Sequence, residues 1–420
     1  MSTHAGDKAG FLRLPNETDA SGRDFGDAEL ALLREVLDSG TLNCTRGTLV
    51  DRLEKRWAQQ LGARHCVAVT SGTAAIHAAV AAVDPEPGDE IVTTPVTDMG
   101  AITPILYQSA IPIFADLDPH SLNISAQNIE RVLTPRTRAI IVTHLFGAPC
   151  DMAPICELAQ RHNLLLIEDA AQAPFATYRN RRLGTWGDIG CFSLQQNKHV
   201  TSGEGGLVTT DDDALARRMK LFHDKAWGYG DAVPDLYFLA LNYRMTELQA
   251  AVALPQLDRV ESGVARRQHN AARLREMLAD IPALQVQAIP EQSESAWWKF
   301  ALWVDAEIQG GADAVGAYLR EHFGLMSAPR YIQKPAFECE VLRERRTFGN
   351  SRFPFEGAHR DGLPPVEYRR EDFPGTYEGL SRVLVLPWNE HYNDAHLDYI
   401  ARALHEAVAS LNGSNREARA

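Results

Sequence analysis

The chain of 420 residues holds six cysteines, at 44, 66, 150, 156, 191 and 339, and no two form a Cys-x-x-Cys pair. That scatter speaks against a zinc ribbon, an iron–sulfur cluster and a disulfide framework, so no metal is expected and a reducing compartment is. Positive charge is scarce too: 42 Lys and Arg against 55 Asp and Glu leave a formal net charge of −13. A nucleic-acid backbone or an anionic membrane surface is therefore a poor partner. The basic runs "RNRR" (179–182) and "RERR" (343–346) are short and read as solvated loop charge. The first 30 residues lack a basic start followed by an apolar core, and no run approaches the roughly 18 apolar residues of a membrane helix. A cytoplasmic location is the expectation. "GYGDAV" (228–233) lacks the third glycine and the preceding strand of a dinucleotide fingerprint, which argues against a nicotinamide cofactor.

Present instead, from about residue 65 to 210, are short β-branched runs alternating with helix-period segments. "AIIVTHLFG", "LLLIEDAA" and "IGCFSLQQ" are apolar almost throughout, and "TAAIHAAVAAV" (73–83) and "MAPICELAQRHN" (152–163) carry helical periodicity. This is the pattern of an α/β fold whose mostly parallel sheet is covered on both faces. The length favours two domains. We expect a flexible tail over 1–20, a large α/β domain over 21–257 and a small C-terminal domain over 258–420, with a loop-rich excursion at about 328–380.

Ligands of such sheets collect at the carboxyl ends of strands, and three features lie there. "TSGTAAIHAAV" turns through Ser71, Gly72 and Thr73 into a helix, whose first amides suit a phosphate or form an ordinary N-cap. "LLLIEDAAQA" ends a strand on Glu168 and Asp169, followed by Gln172. Adjacent strand residues point to opposite faces, so the two acids are not a hydrolase pair; one of them can hold a cationic heteroaromatic nitrogen. Thirty residues on, "CFSLQQNKHVTSGEGG" places Lys198 in a glycine-rich bend. A phosphate turn, a strand-end acid and a loop lysine in that chain order suit a pyridoxal-phosphate enzyme.

Together "SGTAAIHAAV", "HLFGAPCDM", "IEDAAQA", "GTWGDIGCFSLQQNKHVTSGEGGLVTTDD" and "NYRMTELQAAVALPQL" make the chain resemble the DegT/DnrJ/EryC1/StrS aminotransferases of fold type I over about residues 25–260. Beyond that only "VLVLPWNE" (383–390) is similar. The resemblance implies a large domain with a seven-stranded sheet, a smaller α+β domain and pyridoxal 5′-phosphate as cofactor. It implies Lys198 as Schiff-base lysine and proton shuttle, Asp169 on the pyridine nitrogen, Gln172 near the phenolic oxygen, and Gly72, Thr73 and Ser193 on the phosphate. Asn242 would reach the phosphate of the neighbouring subunit, which makes a homodimer with shared sites.

One departure stands out. Family members place an aromatic residue after the threonine of their P-x-T element, where "PVTDMGA" (95–101) has Asp98. Asp98 is either a helix N-cap or part of a different substrate pocket. The family's dehydratases replace the lysine with histidine; here Lys198 is kept, with His199 beside it as a solvent-facing residue or a proton carrier. Arg330 and Tyr331 in "APRYIQKP" are candidates for a substrate carboxylate or hydroxyl, or plain loop residues. Trp297 and Trp298 in "AWWKF" read as core of the small domain or as a pocket wall. The expected reaction is transfer of an amino group from glutamate or glutamine to a keto-sugar or a keto-cyclitol in aminoglycoside-like biosynthesis. The alternatives are a non-sugar keto or aldehyde metabolite as acceptor, or a regulatory protein that binds the cofactor without turnover.

Overall fold

The computed structural model describes residues 10–417. Its centre is a sheet of seven strands: β1 (His65–Val69), β2 (Glu90–Thr93), β3 (Ile111–Phe114), β4 (Thr137–Thr143), β5 (Leu165–Asp169), β6 (Ile189–Ser193) and β7 (Gly206–Thr210). In space they run β1-β7-β6-β5-β4-β2-β3. The pairs from β6 through β3 are parallel, and β7 is antiparallel to both neighbours. The exception has a local cause. Parallel pairing needs a crossover helix, and residues 194–205 between β6 and β7 contain none, so β7 returns as the second arm of a long hairpin.

Successive side chains of the strands enter different cores. Ile140, Val142 and Leu166 join a cluster with Leu53 and Trp57 of the helix Leu49–Leu61. Ala139, Ile141 and Ile167 join another with the helix Gly72–Val83, whose run of alanines brings it close to the sheet. Burial on both faces explains why the strand sequences read as continuous apolar runs.

A second sheet follows, with strands β8 (Leu284–Val286), β9 (Lys299–Val304), β10 (Ala328–Pro329) and β11 (Val383–Pro387) in the order β8-β9-β11-β10. All its pairs are antiparallel. Phe300, Leu302 and Val304 of β9 face a core shared with the helices Val260–Met277, Gly311–Phe323 and Asp394–Glu417, whereas Ala301 and Trp303 turn toward the large core. The stretch 328–380 is largely irregular. Its Phe337, Phe355 and Phe373 pack on Ile111 and Phe114, and the Tyr368 hydroxyl donates to Pro112 O at 2.6 Å. The excursion thereby covers the exposed edge of β3, which would otherwise offer unpaired backbone groups.

Of the tail expected over 1–20, residues 1–9 lie outside the described residues, and most of 10–20 is exposed, with Glu17 the buried exception. Glu17 is 4% exposed and ion-paired with Lys299, and its carbonyl accepts from Arg23 Nε at 3.0 Å. A carboxylate this buried holds its segment in place because leaving it unpaired would be costly.

Candidate active site

The loop 194–205 stands at the carboxyl end of the sheet, pinned from three directions. From the N-terminal segment, Arg23 donates to Lys198 O at 2.9 Å and to Gln196 O, while Gln196 Nε2 donates to Glu17 O at 2.9 Å. From the edge of the second sheet, Trp298 Nε1 donates to Asn197 O at 2.7 Å. From below, the Gln256 amide brackets Thr201, accepting from its N–H at 3.1 Å and donating to its carbonyl at 2.6 Å. Lys198 Nζ lies 4.1 Å from the centre of the Trp298 ring. Burial lowers the Lys198 pKa to about 8 against the pull of Asp169 and Asp98, with Lys299 pushing the same way as burial. A neutral amine, the form a nucleophile needs, is thus accessible near physiological pH.

Asp169, the last residue of β5, is buried and accepts from Ala171 N at 3.1 Å. Burial raises its pKa, while that hydrogen bond and the charge of Lys198 restrain the rise. Glu168 points the other way and is consumed by the fold. Its carboxylate accepts from Gly184 N at 2.8 Å and Gly187 N at 2.7 Å, and it meets His144 Nε2 at 3.1 Å. His144 received no role from the sequence, although "AIIVTH" ends a strand as plainly as "LLLIED" does; position after an apolar run was the available signal.

Ser71 caps the helix Gly72–Val83 through Ala74 N at 3.0 Å, which leaves the amides of Gly72 and Thr73 at its open end. A Cβ on Gly72 would come within 2.8 Å of Ser193 Cβ, so the missing side chain is what lets this turn sit against the end of β6. Gln172 Oε1 accepts from Phe146 N at 2.7 Å, and its side chain lies close enough to Tyr331 to influence the phenol. Tyr331 packs edge-on to Phe146 at 4.8 Å, and burial together with Asp98 lifts its pKa to about 12. These contacts gather Gly72, Thr73, Asp169, Gln172, Ser193, Lys198 and Tyr331 at one end of the sheet.

Other expected residues stand differently. Asp98 caps its own turn through Gly100 N at 2.7 Å, as the N-cap reading has it, and its charge is still felt at Lys198, Asp169 and Tyr331. Arg330 is exposed and donates to Gln333 O at 3.2 Å, a loop contact. His199 is not solvent-facing. It is buried with Nε2 2.9 Å from Ala296 O, and burial beside Arg267 pushes its pKa to about 3, which keeps it neutral and unsuited to carrying protons at neutral pH. Asn242 is exposed, away from its own chain's lysine loop in its contacts: Oδ1 accepts from Arg244 N at 3.3 Å. The two tryptophans part company. Trp297 stacks on Phe300 in the second core at 5.3 Å, and only Trp298 walls the lysine.

The model of the DegT/DnrJ/EryC1/StrS aminotransferase family matches residues 23–358. The chain belongs to that family. It is 32% identical to the spore coat polysaccharide biosynthesis protein SpsC of Bacillus subtilis over 395 residues, 91% of this chain and 95% of that one. It is 34% identical to the L-glutamine:2-deoxy-scyllo-inosose aminotransferase of Streptomyces kanamyceticus over 344 residues, covering 76% and 80% of the two chains. Among solved structures, the aminotransferase from Psychrobacter cryohalolentis superposes with a TM-score of 0.81 at 29% identity, over 93% of this chain and 98% of that one. The protein is accordingly an aminotransferase of the sugar-modifying kind, and its family uses pyridoxal 5′-phosphate. No helix among the described residues is long and apolar enough to cross a membrane, and no cluster of His, Cys, Asp and Glu among them could hold a metal ion.

Proposed function

We propose that this aminotransferase moves the amino group of glutamate or glutamine onto a keto-sugar or keto-cyclitol in natural-product biosynthesis, with Lys198 and Asp169 as its catalytic pair. The observation that carries the reading is a half-buried lysine and a buried acid at the carboxyl end of one sheet, each feeling the other's charge. The residues fit the cofactor: a glycine-lined, anion-ready helix start, an acid and an amine are the three attachments a phosphorylated pyridine aldehyde requires. Bound, pyridoxal phosphate supplies the electron sink. Lys198 Nζ would hold the cofactor and would move the donor's α-proton. Asp169 would keep a proton on the ring nitrogen, Gly72, Thr73 and Ser193 would hold the phosphate, and Gln172 would serve the phenolic oxygen. On this reading Asp98, Tyr331 and Arg330 would meet the substrate, and His199, held against Ala296 O, would support the loop.

A homodimer with shared sites belongs to the same reading. Asn242 follows a segment that exposes Tyr229, Val233, Leu236, Tyr237, Leu239 and Leu241, with Leu239 95% exposed. An apolar run this open is suited to cover by a second copy. Six free cysteines are in keeping with the reducing cytoplasm. A division near residue 258 is supported by the second sheet's own helical cover. The Streptomyces relative's name gives glutamine as donor and an inosose as acceptor, whereas relatives 42%, 31% and 37% identical are named GDP-perosamine synthases, so both acceptor classes of this reading have a counterpart.

Purified protein is expected to show the visible absorption of a lysine-bound cofactor and to lose it on addition of glutamate or glutamine. Keto-sugars and keto-cyclitols are then screened for its return. Lys198→Ala removes both the absorption and the transfer. A wild-type protein whose absorption survives both amino donors would be a cofactor-binding regulator and not a catalyst.

A further inference from the structure

We propose that Trp298 is a positioning residue for the amine of Lys198: its indole face holds Nζ at the reacting position whenever that amine is free, before the cofactor attaches and between half-reactions. The inference rests on Lys198 being the cofactor lysine. Its basis is a set of contacts that converge on one ring. Lys198 Nζ lies 4.1 Å from the ring centre, Lys299 Nζ lies 5.0 Å from it, and the ring's own N–H is tied to the lysine loop at Asn197 O, 2.7 Å away. Lys299 is ion-paired with buried Glu17, and its charge still bears on Lys198 across the ring.

The backbone is arranged to deliver this ring. Trp297 has φ 48°, a left-handed conformation that costs a bulky residue energy, and it is followed by Trp298 facing the loop while Trp297 itself enters the second core. Gly147 makes room for the bend: a Cβ there would come within 2.8 Å of Trp297 N and 2.9 Å of Trp298 N. Strain of this kind is retained where the ring's position matters more than the turn's comfort.

The need for such a platform follows from the charges around Nζ. Asp169 at the tip of β5 and Asp98 after β2 attract it, Lys299 on β9 repels it, and Arg23 is engaged with loop carbonyls. A flexible four-carbon stem in this field would swing toward the carboxylates, where an ion pair withdraws the amine from attack and from proton transfer. The face of a partly desolvated indole draws the ammonium form away from that swing without a counter-charge, so an amine that loses its proton there does so outside a carboxylate ion pair.

The test uses the full-length protein stripped of cofactor, with the rate of covalent uptake of pyridoxal phosphate as readout and thermal melting as a check of folding. Trp298→Leu is expected to slow uptake about tenfold or more, whereas Trp298→Phe, which keeps an aromatic face, stays within about threefold of wild type. Trp298→Gln keeps a donor for Asn197 O without a ring and is expected to be as slow as the leucine variant, which covers the case in which leucine does not fold. A single-turnover measurement of α-proton removal from a deuterated donor is expected to follow the same ranking at unchanged donor affinity. Uptake by Trp298→Gln at the wild-type rate, or Trp298→Phe as slow as Trp298→Leu, would overturn the proposal. Retention of covalent cofactor by Lys198→Ala would instead overturn the assignment of Lys198 on which it rests.

Discussion

The two faces of β5 put neighbouring acids to opposite uses. On one face Glu168 receives two backbone amides and His144, all within 3.1 Å, inside a core with no exposure. On the other, Asp169 accepts a single amide at 3.1 Å and has its pKa raised by burial. A buried charge with its bonds complete is architecture, whereas one left short of partners beside a lysine is held for a ligand.

That contrast can be broken most forcefully at Asp169. Asp169→Asn removes the charge and keeps the shape, so turnover is expected to fall about 10²–10³-fold, with the melting temperature unchanged or higher because an underpaired buried charge has gone. The mirror experiment is Glu168→Gln, which turns an amide donor toward amides that are already donors. Denaturant unfolding is expected to register a loss of about 3 kcal/mol, and the folded fraction is expected to bind cofactor normally. If instead Glu168→Gln lost activity at full stability, the division of labour between the faces would be wrong.

Smaller effects sharpen the picture. Gly72→Ala puts a methyl group 2.8 Å from Ser193 Cβ, and forcing the turn away from β6 is expected to weaken cofactor affinity about tenfold or more. The pH profile of covalent cofactor uptake comes last in size. Burial lowers the Lys198 pKa to about 8, and only the neutral amine attacks, so uptake is expected to rise up to tenfold per pH unit below that value and to level off above it. A free lysine would keep climbing toward 10.5.

What was legible in the sequence was what chain order alone positions. Ser71, Asp169 and Lys198 each follow an apolar run, and in a doubly covered sheet that places them at one edge. What was not legible comes from residues that meet across the chain. Trp298 reaches Asn197 across 101 positions and Arg23 reaches Lys198 across 175. No periodicity carries such pairings, and for the same reason the contacts of Glu17 with Lys299 and Gln196 were not legible in the stretch read as a tail. His199 was misplaced on another ground: a glycine-rich bend suggests solvent, but this bend is roofed by the second sheet, and Ala296 closes over the imidazole. Period-two alternation in "AWWKF" did hold the hint that its tryptophans face opposite ways.

Two lysines, Lys198 and Lys299, flank the same indole, and only Lys198 is proposed to carry the chemistry. Borohydride reduction of the cofactor-loaded protein, followed by peptide mapping, tests that assignment most directly. The pyridoxyl group is expected on the peptide carrying Lys198. Its recovery on Lys299, or on any other lysine, would contradict the account.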